Sequence, residues 1–165
     1  MEAWLRGPVT GVVPVLQPVA HMLLHALEDA SSALEGLTPD QVWTRPGGGA
    51  SIGFHVRHLM GALDRIFTYA RGEALDDAQM AFLKGETEPG DPPADAAELT
   101  RELGQAIDRA LAQVRSTSET TLLDARGVGR RQAPSTVLGL LVHGGEHSAR
   151  HAGQAITLKR VLTST

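Results

Sequence analysis

The stretch His143-Gly-Gly-Glu-His147-Ser-Ala-Arg-His151-Ala-Gly-Gln154 places three of the chain's seven histidines at every fourth residue. An α-helix turns about 100° per residue, so steps of four keep side chains on one face, each advanced by about 40° from the last. Read as helix, the stretch carries a column of imidazoles. Leu140, Gln154 and Leu158 project in the same sector, which predicts that the column faces inward. Imidazoles taken out of water need partners. A divalent ion held by His147 and His151, or by His143 and His147, would supply them, because helical i, i+4 histidines converge on one ion. Ordinary hydrogen bonds between core histidines would also satisfy them, and both readings stay open at this point.

Composition bounds what surrounds the column. At 165 residues the chain suits a single domain that buries a substantial core. It contains no cysteine, which excludes a disulfide framework, cysteine-based zinc sites and a cysteine nucleophile. Any thiol chemistry must then take its sulfur from a bound co-substrate. The formal net charge is -4, and basic residues cluster only within 126–131, so the electrostatic footprint of a nucleic-acid partner is missing. No basic N-terminal region precedes an apolar signal core, and no apolar run approaches the roughly 20 residues that span a bilayer, which predicts a cytoplasmic protein without membrane partners. The aromatic content is only 4%, so the core must be built from Leu, Val, Ile and Ala, which suits packed helices.

Working outward from the column, four long periodic segments emerge. Residues 1–13 lack periodicity and read as an N-terminal arm. The first helix should begin between Pro14 and Pro18 and run to about residue 35, with Val19, Leu23, Ala26, Ala30 and Leu34 in its apolar stripe. His21 and His25 have ligand spacing but fall off that stripe, and read as surface or subunit-contact residues. Thr38-Pro39 starts a short helical turn, and Ser51 caps the second helix, residues 51–71. The run Gly47-Gly48-Gly49 neither follows a strand nor ends in the Lys-Ser/Thr of a phosphate loop, so it reads as a lead into Ser51. Bare periodicity favours His55 over His58 as the inward imidazole of the second helix, His58 lying about 120° from the centre of the stripe. Gly72 ends this helix, and residues 73–94 form a long crossover with room for a helical turn over 76–84. Asp95 caps a third helix that ends near residue 115. Residues 116–133 are polar, with Gly127 and Gly129 in the centre; Val128 alone is too little for a strand, and a short extended hairpin arm stays open as an alternative. The fourth helix is expected from Pro134-Ser135 to about residue 162, buried on two faces, the second formed by Leu138, Val142, Ala149, Ala152 and Ile156. Gly144, Gly145 and Ala149 would let a neighbour come close. The fold class is all-α, a four-helix bundle with a long crossover after the second helix.

Two stretches carry a family resemblance. One is Trp43-Thr-Arg45-Pro46 followed by Ser51-Ile52-Gly-Phe-His-Val-Arg-His58-Leu59. The other is Glu146-His147-Ser-Ala-Arg-His151-Ala-Gly153-Gln154, whose His-x-x-x-His-x-Gly-Gln ending is the more specific. Through them the chain resembles the DinB-like superfamily of metal-binding four-helix bundles over most of its length. The resemblance implies His58, His147 and His151 as metal ligands, in place of the His55 that periodicity favours. His55 and His143 then become pocket residues around the cofactor. It also implies a homodimer and, by similarity to the characterised enzymes of the family, a metal-dependent transferase or isomerase that uses a low-molecular-weight bacterial thiol.

Three neutral imidazoles on a divalent ion leave a position open to water or a small-molecule substrate, the pattern of catalytic sites. Such an ion ionises a bound thiol near neutral pH or activates water. Imidazole ligation suits zinc or nickel, with iron or copper as alternatives. Gln154, one turn beyond His151, and Glu146, beside His147, are the candidate catalytic residues for orienting ligands or handling a proton. Transfer from an activated thiol is the leading expectation. A hydrolase using the same ligands and a non-catalytic metal or small-molecule-binding module are its alternatives.

Overall fold

The structure, a computed structural model, describes residues 1–164. Among them are six α-helices and one two-stranded hairpin: α1 (Gln17–Leu34), α2 (Pro39–Trp43), α3 (Ile52–Arg71), α4 (Asp77–Gly85), α5 (Ala96–Ser116), β1 (Ala125–Val128), β2 (Ala133–Thr136) and α6 (Val137–Thr163). The helix starts follow from capping side chains that satisfy otherwise orphaned backbone N–H groups. Thr38 closes a reciprocal box with Gln41 at α2, and Asp76 does the same with Gln79 at α4. Ser51 Oγ accepts from the Phe54 amide at 3.1 Å, and Asp95 Oδ1 from that of Glu98 at 2.8 Å. Gly72 ends α3 at φ +81°, a left-handed cap that glycine adopts without a Cβ penalty.

The helix that carries the histidine column starts later than its sequence suggests. Pro134 and Ser135 lie in β2, paired antiparallel with Gly127 and Arg126, and Thr136 is the true cap, accepting from the Gly139 amide at 3.0 Å. The amides of Val137 and Leu138 then donate to the carbonyls of Asp124 and Leu122, so the hairpin arm hands its hydrogen bonding directly to the helix. A proline at an exposed hairpin edge costs no ladder donor that a central strand would need. Residues 1–13 are pinned along α1. The Gln17 side chain bonds the backbone of Val9 and Val12, and Arg6 pairs with Glu28.

α6 packs against α1 and α3, while α5 covers the other side of the same two helices. Leu23, Leu34, Leu59, Leu63, Leu103, Ile107 and Leu141 are among the fully buried side chains between them. The close approach of α6 rests on glycine. A Cβ at Gly144 would lie 2.7 Å from Phe67 Cε1, and one at Gly145 would lie 2.9 Å from Met22 Cε. The expected second buried face of α6 is only partly present, because Val142 is 43% exposed and Ala149 also faces outward. Trp43 braces the start of α3: its Nε1 donates to the Ala94 carbonyl at 2.8 Å and its ring fills the space beside Gly53. No helix among the described residues is long and apolar enough to cross a membrane.

Two glycines of the long helices predict opposite outcomes. Gly104, in α5, has open space where a Cβ would sit. Gly104→Ala should raise stability by about 0.5–1 kcal/mol, the ordinary helix-propensity gain. Gly144→Ala makes the same propensity gain but drives a methyl into a phenyl ring, and should lose about 1–3 kcal/mol. Chemical denaturation of both variants checks the pair.

Candidate metal centre

Two helices bring the imidazoles together. His55 and His58 come from the first two turns of α3, and His147 and His151 from the centre of α6, across the interface that Gly144 tightens. His58 Nε2 stands 3.1 Å from His147 Nε2, and the ring of His151 lies 4.6 Å, centroid to centroid, from each of them. One nitrogen from each of these three rings falls within 4.8 Å of the others. Zinc–imidazole bonds of about 2.0–2.1 Å at a tetrahedral angle would separate two ligand nitrogens by roughly 3.3 Å, so the 3.1 Å pair is close to what a shared ion requires. The donor set therefore fits a divalent cation.

Electrostatics favour lone pairs over charge here. Burial, reinforced by His58 and His147, pushes His151 down to about 3, and burial followed by the neighbouring His58 also lowers His55 and His147. These three rings are neutral at neutral pH, as metal ligation demands. His55 Nδ1 lies 2.9 Å from His151 Nδ1, so one of the two nitrogens must carry the shared proton. If His151 donates it, its Nε2 keeps a lone pair for the cluster. His147 Nδ1 is buried without a hydrogen-bond partner. Phe54 stacks on His58, with ring centroids 5.4 Å apart, and walls that side of the cluster.

The column is less inward than expected. The His143 side chain is 52% exposed and Gln154 is also exposed, whereas His147 and His151 are half-buried. The cause is the precession of the column itself. The buried centre of α6 runs through Gly144 and Ala155, and each four-residue step carries the histidines about 40° nearer to it. His143 falls short, and Gln154 returns to nearly the same angle as His143. Glu146 is exposed and forks onto Arg150 at 2.5–3.0 Å, which holds its carboxyl below the usual range; it also lies 3.6 Å from His143 Nδ1. His21 donates to or accepts nothing near the cluster; its Nε2 faces the Gly7 carbonyl at 3.0 Å.

One participant was not anticipated from the sequence. Glu86, just past α4, is 3% exposed, and its Oε2 accepts from His58 Nδ1 at 2.8 Å while its Oε1 accepts from Arg65 Nη1 at 2.6 Å. No local pattern marks Glu86. The available signal was Arg65, a cation seven residues after His58 on the same helical face, amid apolar positions that oblige it to find an acid.

The scaffold and the cluster together define a mostly helical protein with a three-imidazole site compatible with a metal ion. The profile of the DinB superfamily matches residues 22–155, which include both halves of the site, and the chain belongs to that superfamily. A crystal structure of a conserved protein from Enterococcus faecalis has the same fold, with a TM-score of 0.72 at 19% identity, over 93% of this chain and 99% of that one. No curated protein matches the chain.

Proposed function

We propose that the protein is a divalent-metal-dependent transferase in which His58, His147 and His151 hold the ion and a low-molecular-weight thiol attacks an electrophilic small molecule. The observation that carries this reading is the convergence of three imidazole nitrogens within 4.8 Å, from two different helices of a DinB-superfamily chain. When bound, zinc or nickel would supply Lewis acidity that favours the thiolate of a co-substrate near neutral pH. The chain has no cysteine of its own, so the nucleophilic sulfur comes from the co-substrate. His55 holds His151 through the Nδ1 contact at 2.9 Å. A cavity of about 390 Å³ beside His55, bounded by Gly49, Arg150, Gln154 and Thr157, is the place for the organic substrate. Gln154 on its wall orients that substrate, Glu146, paired with Arg150 of the same wall, handles a proton, and the exposed His143 is a further pocket residue beyond His147. In this reading the four long helices act as one four-helix-bundle domain crossed over by residues 72–95, working as a cytoplasmic homodimer.

The test is turnover of an electrophilic acceptor by zinc- or nickel-loaded protein, with and without added small thiol. Product formation that requires both metal and thiol supports the proposal. Turnover with metal alone replaces it with a hydrolase, and metal uptake without any rate above that of free metal replaces it with a binding module.

A further inference from the structure

The second nitrogen of His58 is committed to a buried carboxylate delivered from outside α3 and α6, the two helices that bear the clustered histidines. Glu86 sits on the connection between α4 and α5, and it reaches α3 through a notch at Gly61. A Cβ at Gly61 would collide with Glu86 Oε1 and lie 2.7 Å from both Arg65 Nη1 and Phe82 Cδ1, so the notch has room for the carboxylate only because residue 61 is glycine. Arg65, itself buried, balances the carboxylate charge through one oxygen at 2.6 Å. A buried ion pair needs no more than that. The other oxygen is spent on His58 Nδ1 at 2.8 Å.

A carboxylate accepts and does not donate, so the proton between the two groups belongs to His58 Nδ1, and a neutral imidazole with its proton there has its lone pair on Nε2. That is the nitrogen aimed at His147. We propose that Glu86, charge-balanced by Arg65, is a positioning residue that locks His58 in the Nδ1–H tautomer and so presents its Nε2 lone pair to the metal. The long connection between α3 and α5 thereby reaches into the metal centre, as a partner that sets the orientation and basicity of a ligand.

The inference rests on the three-histidine reading, and its test separates the two. In metal-free protein, long-range proton–nitrogen correlation should find the His58 proton on Nδ1; a proton on Nε2 would overturn the inference, whatever the protein does with metals. Two double variants then remove both buried charges and differ in the acceptor alone: Arg65→Met with Glu86→Leu, and Arg65→Met with Glu86→Gln. Titrated with zinc against a chromophoric chelator, the leucine version should bind roughly 10–100-fold more weakly than the wild type, and the glutamine version should recover part of that loss. Equal zinc affinity in both versions would discard the positioning role. Wild-type protein that takes up no zinc would defeat the three-histidine reading instead, leaving the tautomer result to judge Glu86 by itself.

Discussion

His147→Ala is expected to lose its bound divalent metal. His147 closes the group from α6, with its Nε2 3.1 Å from that of His58 and its centroid 4.6 Å from that of His151. Without it only two imidazoles remain, one of them on the opposite helix and tied to Glu86. Loss of partners that merely orient ligands weakens metal binding about 10–100-fold, so loss of a ligand should exceed about 100-fold. Two measurements report it. Elemental analysis of untagged protein should show metal in the wild type and little in the variant. Thermal melts should show the same through linkage, because a ligand at about 1,000 times its Kd stabilises by about 4 kcal/mol, which for a chain of this size is a rise of roughly 10 °C. That rise should vanish in the variant. His143→Ala is the control, since its ring is half in solvent and 5.5 Å, centroid to centroid, from His147; its metal content should stay near that of the wild type. Unchanged metal in His147→Ala would end the assignment.

Much of the scaffold could be read from residue order because its signals are local. Thr38, Ser51, Asp76 and Asp95 bond amides three residues ahead, and Gly72 needs only its own backbone to end α3. These interactions exist within one turn, so a one-dimensional reading sees them. The start of α6 was misplaced because Pro134 suits a helix N-terminus equally well, and only pairing with Gly127, across a hairpin of weak apolar pattern, makes it extended. The site divides in the same way. The i, i+4 spacing of His147 and His151 is local, whereas His55 and His58 differ by an angle whose meaning depends on where α6 lies. Both turn out to meet α6 histidines: His55 reaches His151, and His58 completes the three-nitrogen group. A helical wheel judges burial against one neighbour, and α3 has three sides to serve: α6, α5 and the α4 connection. Glu86 was invisible for the strongest version of this reason, since a carboxylate in an irregular segment acquires its role only when that segment folds back.

Leu141→Ala should be among the most destabilising single substitutions in the chain, and its neighbour Val142→Ala among the mildest. Leu141 has no solvent exposure and points into the core from the first half of α6, the helix that packs against both α1 and α3. Truncating it removes three methyl or methine carbons and leaves a cavity that glycine-tight packing cannot readily close, because Gly144 already stands 2.7 Å, measured to an added Cβ, from Phe67. Core leucines truncated to alanine cost about 2–5 kcal/mol, and limited collapse places this one toward the upper half. The melting temperature should fall by roughly 10 °C or more at about 2–4 °C per kcal/mol. Val142 is 43% exposed, so its truncation should stay within about 0.5 kcal/mol of the wild type in the isolated chain. A larger loss at Val142 that grows with protein concentration would mean that a second copy covers it, which is the outcome the proposed homodimer predicts if its contact uses this face of α6. A loss at Leu141 below about 1 kcal/mol would contradict the packing itself, since α6 would then not be wedged between α1 and α3, and the four imidazoles would have no fixed distance to one another.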